Sequence, residues 1–144
     1  MKALTLWQPF AQAIALGLKK YETRSWATRH RGRIAIHCSV KPLHKDYKEL
    51  ADKYGITDKL EYGKIILICD LTDCILMTDE FINQQTQTEL DFGDWRVGRY
   101  AWEFKIVKIL QKPAQTKGYQ GLWNTDLFPD MEDMPKSQQI KMKF

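Results

Sequence analysis

Lys64-Ile-Ile-Leu-Ile-Cys-Asp-Leu-Thr-Asp-Cys-Ile-Leu76 decides the fold. This is the strongest β-forming run of the chain, within residues 62–77, and its length predicts one long central strand bent around a small barrel. Upstream, Gly32 to Ser39 alternates Ile34, Ile36 and Cys38 against Arg33, Ala35 and His37, which separates a core face from a polar face. Tyr21 to Trp26 predicts a strand with Glu22, Arg24 and Trp26 on one face and Tyr21, Thr23 and Ser25 on the other. Lys2 to Trp7 predicts a short first strand. Downstream, Gly98 to Leu110 is the last clear strand, with Tyr100, Trp102, Phe104 and Ile106 on one face.

Helices fall between these strands. Gln8-Pro9 opens one whose residues Phe10, Ala11, Ala13, Ile14, Ala15, Leu16 and Leu18 are apolar nearly all round, so it belongs deep in the fold, and Gly17 ends it. Leu43, Tyr47, Leu50, Ala51 and Tyr54 recur at helical spacing before Gly55, predicting a second, amphipathic helix. Residues 78–95 carry Asp79, Glu80, Glu89, Asp91 and Asp94 with no lysine or arginine, and predict a short helix plus a mobile loop. After Pro113 the chain reads as irregular, with turns at Gly118 and Gly121 and Trp123 packed as an anchor. No βαβ alternation is present, so the fold class is α+β: a small mixed β-barrel with two or three helices inserted around it. Residues 1–125 form one domain. Residues 126–144 form a C-terminal extension, either an edge strand or a flexible tail.

With 44% hydrophobic and 12% aromatic residues, a chain of 144 residues supplies one core, which excludes wholesale disorder. No stretch approaches the ~18 to 20 apolar residues that span a bilayer, and Met1 to Trp7 lacks the sections of a secretion signal, so no membrane partner and a cytoplasmic location are expected. Cys38, Cys69 and Cys74 are odd in number and set in apolar surroundings, which favours buried free thiols over disulfides or zinc; no metal or cofactor is implied. The net charge of +4 is uneven: from Lys19 to Lys45 there are eight basic residues against one acid, Glu22. That run is either the footprint of a phosphate-binding face or an ordinary solvated surface.

Several segments together resemble one family. Leu4-Thr-Leu-Trp-Gln-Pro-Phe-Ala-Gln-Ala-Ile14 is similar to the first strand and helix of the ASCH (activating signal cointegrator homology) family, and Gly17-Leu-Lys-Lys-Tyr-Glu-Thr-Arg-Ser-Trp26 to its G-x-K-x-x-E-x-R motif. Gly32 to Ser39, Leu71-Thr-Asp-Cys74, Gly98 to Phe104 and Pro113 to Trp123 resemble its later signatures in the same order. The resemblance covers roughly residues 3 to 123, and its specificity lies in the ordered set. It implies a PUA-like barrel with a cleft beside the first helix, and action on RNA or related nucleotides.

The residues of that cleft carry suitable chemistry. Lys19 and Arg24 can hold a phosphate, Glu22 can accept hydrogen bonds from a base or ribose, and Trp7 and Trp26 can stack bases. Backbone N–H groups around Trp7, Gln8 and Pro9 are anion-binding candidates, and Arg33 and His37 are candidate phosphate contacts on the next strand. Each has a structural counterpart: an internal Lys–Glu–Arg ion pair, packed tryptophans, a hydrogen-bonded core histidine. The leading expectation is a module binding RNA, another single-stranded nucleic acid or a nucleotide. Two alternatives stand beside it. The resemblance also implies an amidohydrolase of modified cytidine, whose lysine and threonine correspond here to Lys19 and, with a departure, Glu22. As a hydrolase the chain would use those two residues with a later acid, Asp73, Glu89 or Glu103 being open. The other alternative is a protein-interaction domain.

Overall fold

The computed structural model describes residues 1–131, so the alternating segment at 138–144 lies outside the described residues. In chain order these form β1 (Lys2–Leu6), α1 (Phe10–Ala15), β2 (Tyr21–Arg24), β3 (Gly32–Cys38), α2 (Lys45–Lys53), β4 (Lys64–Leu76), α3 (Asp79–Asn83), α4 (Gln87–Asp91), β5 (Tyr100–Gln115) and β6 (Leu122–Asn124). Single 3-10 turns occupy Thr57–Lys59 and Pro129–Met131.

All six strands share one mixed sheet in the order β2-β5-β4-β3-β1-β6, curled into a half-barrel as in PUA-like folds. The long central strand expected from residues 64–76 is β4, antiparallel to β5 on one side and to β3 on the other. Its pairing with β5 shifts register between Ile65 and Leu67, Ile68 and Cys69, and Leu71 and Asp73. Each shift adds local bend and twist, which lets two long strands curl rather than lie flat. β1 lies parallel to β3 and antiparallel to β6, so a strand from each end of the chain meets at this side of the sheet.

The alternation of β3 sorts its residues onto two faces, but Ala35 and His37 on the expected polar face are buried too. Ile34, Ile36 and Cys38 join Leu4, Leu6, Ala11, Ile14, Leu67, Cys69, Leu71, Trp102 and Phe104 in the main core beneath α1. Ala35 faces the other way, with Ala3, Ile65, Ile68 and Trp123. Cys38 and Cys69 are buried free thiols and Cys74 is half-buried. Burial pushes the Cys38 thiol up to about 12 and the Cys69 thiol well above its usual range, so both behave as small apolar groups.

Several expectations need correction. α1 is a single short helix with Ala11, Ala13 and Ile14 buried, while Leu16 is exposed, so one face rather than the whole surface enters the core. The acidic stretch folds into two helices, not one, each started by a threonine: the Thr78 hydroxyl accepts the N–H of Phe81, and Thr86 that of Glu89. β5 continues five residues past Leu110, through Pro113. Ile106 keeps the register of Phe104, opposite Cys69, but is 43% exposed rather than buried. Residues 122–124, read as irregular, form β6 with Trp123 buried at its centre.

Candidate functional site

The G-x-K-x-x-E-x-R segment turns from the end of α1 into β2. Gly17 takes the left-handed conformation at φ 76°, which side chains disfavour, and Leu18 and Lys19 return their N–H groups to the Ala13 carbonyl. Lys19 is thereby directed inward. Its Nζ donates to the Phe92 carbonyl at 2.7 Å and lies 3.4 Å from Glu22 Oε1. Burial lowers its pKa, opposed by the charges of Glu22 and Glu89. Glu22 is shared, because its Oε2 accepts from Arg24 at 3.0 Å. The β2 alternation therefore places Glu22 and Arg24 together, and the ion-pair arrangement weighed in the sequence is the one adopted.

Two adjoining hollows open beside this triad. The smaller, about 370 Å³, is lined by Glu22, Thr23, Arg24, Phe10, Tyr47, Asp91, Phe92, Gly93, Asp94 and Arg99, with Thr5, Leu6 and Trp7. The larger, about 790 Å³, is lined by Thr5, Trp7, Arg24, Trp26, His37, Ser39, Val40, Lys41 and residues 117–121. Thr5, Trp7 and Arg24 border both. The two differ in charge: the smaller mixes Glu22, Asp91 and Asp94 with two arginines, whereas the larger holds Arg24, Lys41 and Lys117 and, among the described residues, no carboxylate. Its aromatic residues are well exposed, Trp7 at 45%, Trp26 at 39% and Tyr119 at 55%. The Lys41 ammonium sits 4.1 Å from the Trp7 ring centroid and the Lys117 ammonium 5.5 Å from that of Tyr119.

Other predicted site residues are placed in support. Gln8 is buried, donating to the Glu61 carbonyl at 2.8 Å while its Oε1 accepts the Gln12 N–H, and it pins the β1–α1 turn. Pro9 is also buried, and the N–H groups of Phe10 and Ala11 are turned back to the Trp7 carbonyl. Arg33 lines neither hollow and pairs with Asp70 at 2.6 Å across β3 and β4. His37 borders the larger hollow but is buried, with Nε2 2.8 Å from the Thr116 carbonyl and Nδ1 3.1 Å from the Thr5 hydroxyl. A carbonyl only accepts, so Nε2 carries the proton and Nδ1 accepts from Thr5, whose oxygen accepts the Trp123 indole N–H.

The eight-cation run is also rearranged by folding. Lys20 pairs with Glu103, Arg31 with Asp73, Arg33 with Asp70, and Lys19 and Arg24 with Glu22. Five of the eight cations are thus met by acids, three from β4 and β5 and two by Glu22 on β2 itself.

Two groups of lining residues were absent from the predicted site: Asp91 with Asp94, and Lys117 with Tyr119. Asp91 and Asp94 stand where a later acid was sought among Asp73, Glu89 and Glu103. Glu89 instead accepts the backbone N–H groups of Lys20 and Tyr21, and Glu103 meets Thr72 and Lys20. Lys117 and Tyr119 come from a loop with no periodic signal, and their only trace was composition, since Lys117-Gly118-Tyr119 combines a turn, a cation and an aromatic ring. Lys41 belongs to the basic run read as a candidate phosphate-binding face.

The chain is 33% identical over 81 residues to human Activating signal cointegrator 1, and equally to the mouse protein. Each alignment covers 50% of this chain and 14% of the relative, so the chain spans a small part of those longer proteins. The family model of the ASCH domain matches residues 4–120, which include the helix and strand of the motif turn, the acidic helices and Lys117. The chain belongs to the ASCH domain family.

Proposed function

We propose that this chain binds single-stranded nucleic acid, RNA by preference, across the two hollows that meet at Trp7 and Arg24. The observation that carries the reading is the larger hollow, where three exposed aromatic residues and three cations gather with no carboxylate among the described residues. Aromatic faces receive bases of any identity, and cations beside them take the phosphates between bases. Arg24 borders both hollows: one terminal nitrogen is held by Glu22, while the side chain stays 25% exposed. The smaller hollow then receives one nucleotide, whose base or ribose hydroxyls donate to Glu22 or Asp94. Ribose offers a 2′-hydroxyl that deoxyribose lacks, which is the basis of the RNA preference. Gln8, Lys19 and His37 hold the walls.

Replacing Trp7 or Trp26 by alanine is expected to weaken binding of a short RNA by about 1–3 kcal/mol each, measured by fluorescence anisotropy. Glu22→Gln is expected to change preference among the four homopolymers rather than affinity for all. Unchanged affinity in both tryptophan variants would sink the reading.

A hydrolytic use of the same cleft draws on one observation, the buried lysine of lowered pKa beside Glu22. It requires Lys19 to leave the Phe92 carbonyl, because Lys19 lines neither hollow. Mass spectrometry of acylated cytidines incubated with the protein separates the two: products that vanish in Lys19→Ala, with the fold retained, establish turnover.

A further inference from the structure

β5 is longer than the strand that covers it. β2 pairs with it only from Tyr100 to Glu103, and one further bond runs from the Phe104 N–H to the Lys20 carbonyl. From Lys105 onward the strand is paired on its β4 side alone, so its outer edge has no strand partner among the described residues. Pro113 within the strand fits an open edge, since proline lacks the N–H a second neighbour would need. Along this edge Ile106, Val107 and Ile109 are 43%, 39% and 45% exposed. Lys105, Lys108 and Lys112 are exposed between and beside them, and no ion pair joins them to an acid among the described residues.

An open edge with exposed apolar residues is a template for one more strand. Charge then selects the occupant. A second copy would set its own three lysines against these, and like charges on adjoining strands repel. An extended segment carrying acids at alternate positions would meet all three lysines and lay its apolar side chains over Ile106, Val107 and Ile109. None of these residues lines either hollow. We propose that the β5 edge at residues 105–112 binds an extended acidic peptide segment of another protein by strand addition, independently of the cleft.

The probe is a capped octapeptide of alternating glutamate and valine, added to the full chain and followed by hydrogen exchange and anisotropy. Protection is expected at the amides of residues 105–112. Affinity should fall roughly tenfold or more in the Lys105→Glu, Lys108→Glu, Lys112→Glu triple variant, while the same peptide with lysine for glutamate should not bind. RNA affinity should be unchanged in that variant, which separates this proposal from the nucleic-acid reading. Peptide-induced protection confined to the Lys41 and Lys117 hollow would overturn the proposal. So would protection of 105–112 that grows with protein concentration in the absence of peptide, which assigns the edge to a second copy.

Discussion

Glu22 is the residue on which the motif turn depends. Its carboxylate faces a fully buried lysine on one side and a quarter-exposed arginine on the other, so losing one partner leaves it held by the other alone. Lys19→Ala leaves Glu22 to Arg24 and the Phe92 carbonyl without its donor; a loss of about 1–3 kcal/mol is expected in urea denaturation. His37 gives a second prediction at this scale. Burial holds its folded pKa below the ordinary 6.5, so the unfolded chain takes up the proton first as pH falls. Its contribution to stability is complete above about pH 6.5 and is lost as pH falls through the lowered folded value. His37→Gln is expected to flatten that part of a melting-temperature profile against pH. The motif residues Lys19, Glu22 and Arg24 were legible in the sequence because strand alternation and one glycine position them. Asp91 and Asp94 were not, because their place depends on how α4 packs, which no local pattern records.

α4 is joined to α2 chiefly through Asp91. Its carboxylate accepts from the Tyr54 hydroxyl at 2.6 Å and from Lys53 at 2.9 Å. Hydrogen bonds from Tyr54, Lys53 and Gln87 lower its pKa to about 2. A depressed carboxylate contributes stability above the unfolded pKa of about 3.9, and that contribution disappears as pH falls towards 2. Asp91→Asn should therefore be less stable than the parent at pH 6 and show a shallower loss between pH 4 and 2, read by circular dichroism. The loop of residues 116–121 makes a similar point. A methyl group at Gly118 would stand 2.5 Å from His37 Cε1 and Nδ1, so Gly118→Ala should push this loop away and weaken RNA binding with little effect on the core. Elements with strong periodicity, β3, β4 and α2, were evident from sequence. Of α3 and α4 only one short helix was expected and β6 was not, since five-residue helices and a three-residue strand are stabilised by caps and tertiary contacts rather than by pattern.

Over the whole molecule, folding turns a conspicuous basic run into a small and directed set of cations. The run suggested a broad phosphate-binding face, but acids on β4 and β5 meet Lys20, Arg31 and Arg33, and Glu22 meets Lys19 and Arg24. What gathers at the larger hollow is Arg24, Lys41 and Lys117, the last drawn from a distant loop. The order of segments made the barrel class readable, because long β runs and short helices admit few other packings. The curl itself rests on the bulges between β4 and β5, which one strand's sequence does not reveal without its partner. A salt titration of single-stranded RNA binding, comparing the parent with Lys41→Ala and Lys117→Ala, tests the central claim most directly. Three phosphate contacts predict a slope of log affinity against log salt of about −2, reduced by about 0.7 in each variant; a slope unmoved by both substitutions, or near zero in the parent, would contradict it.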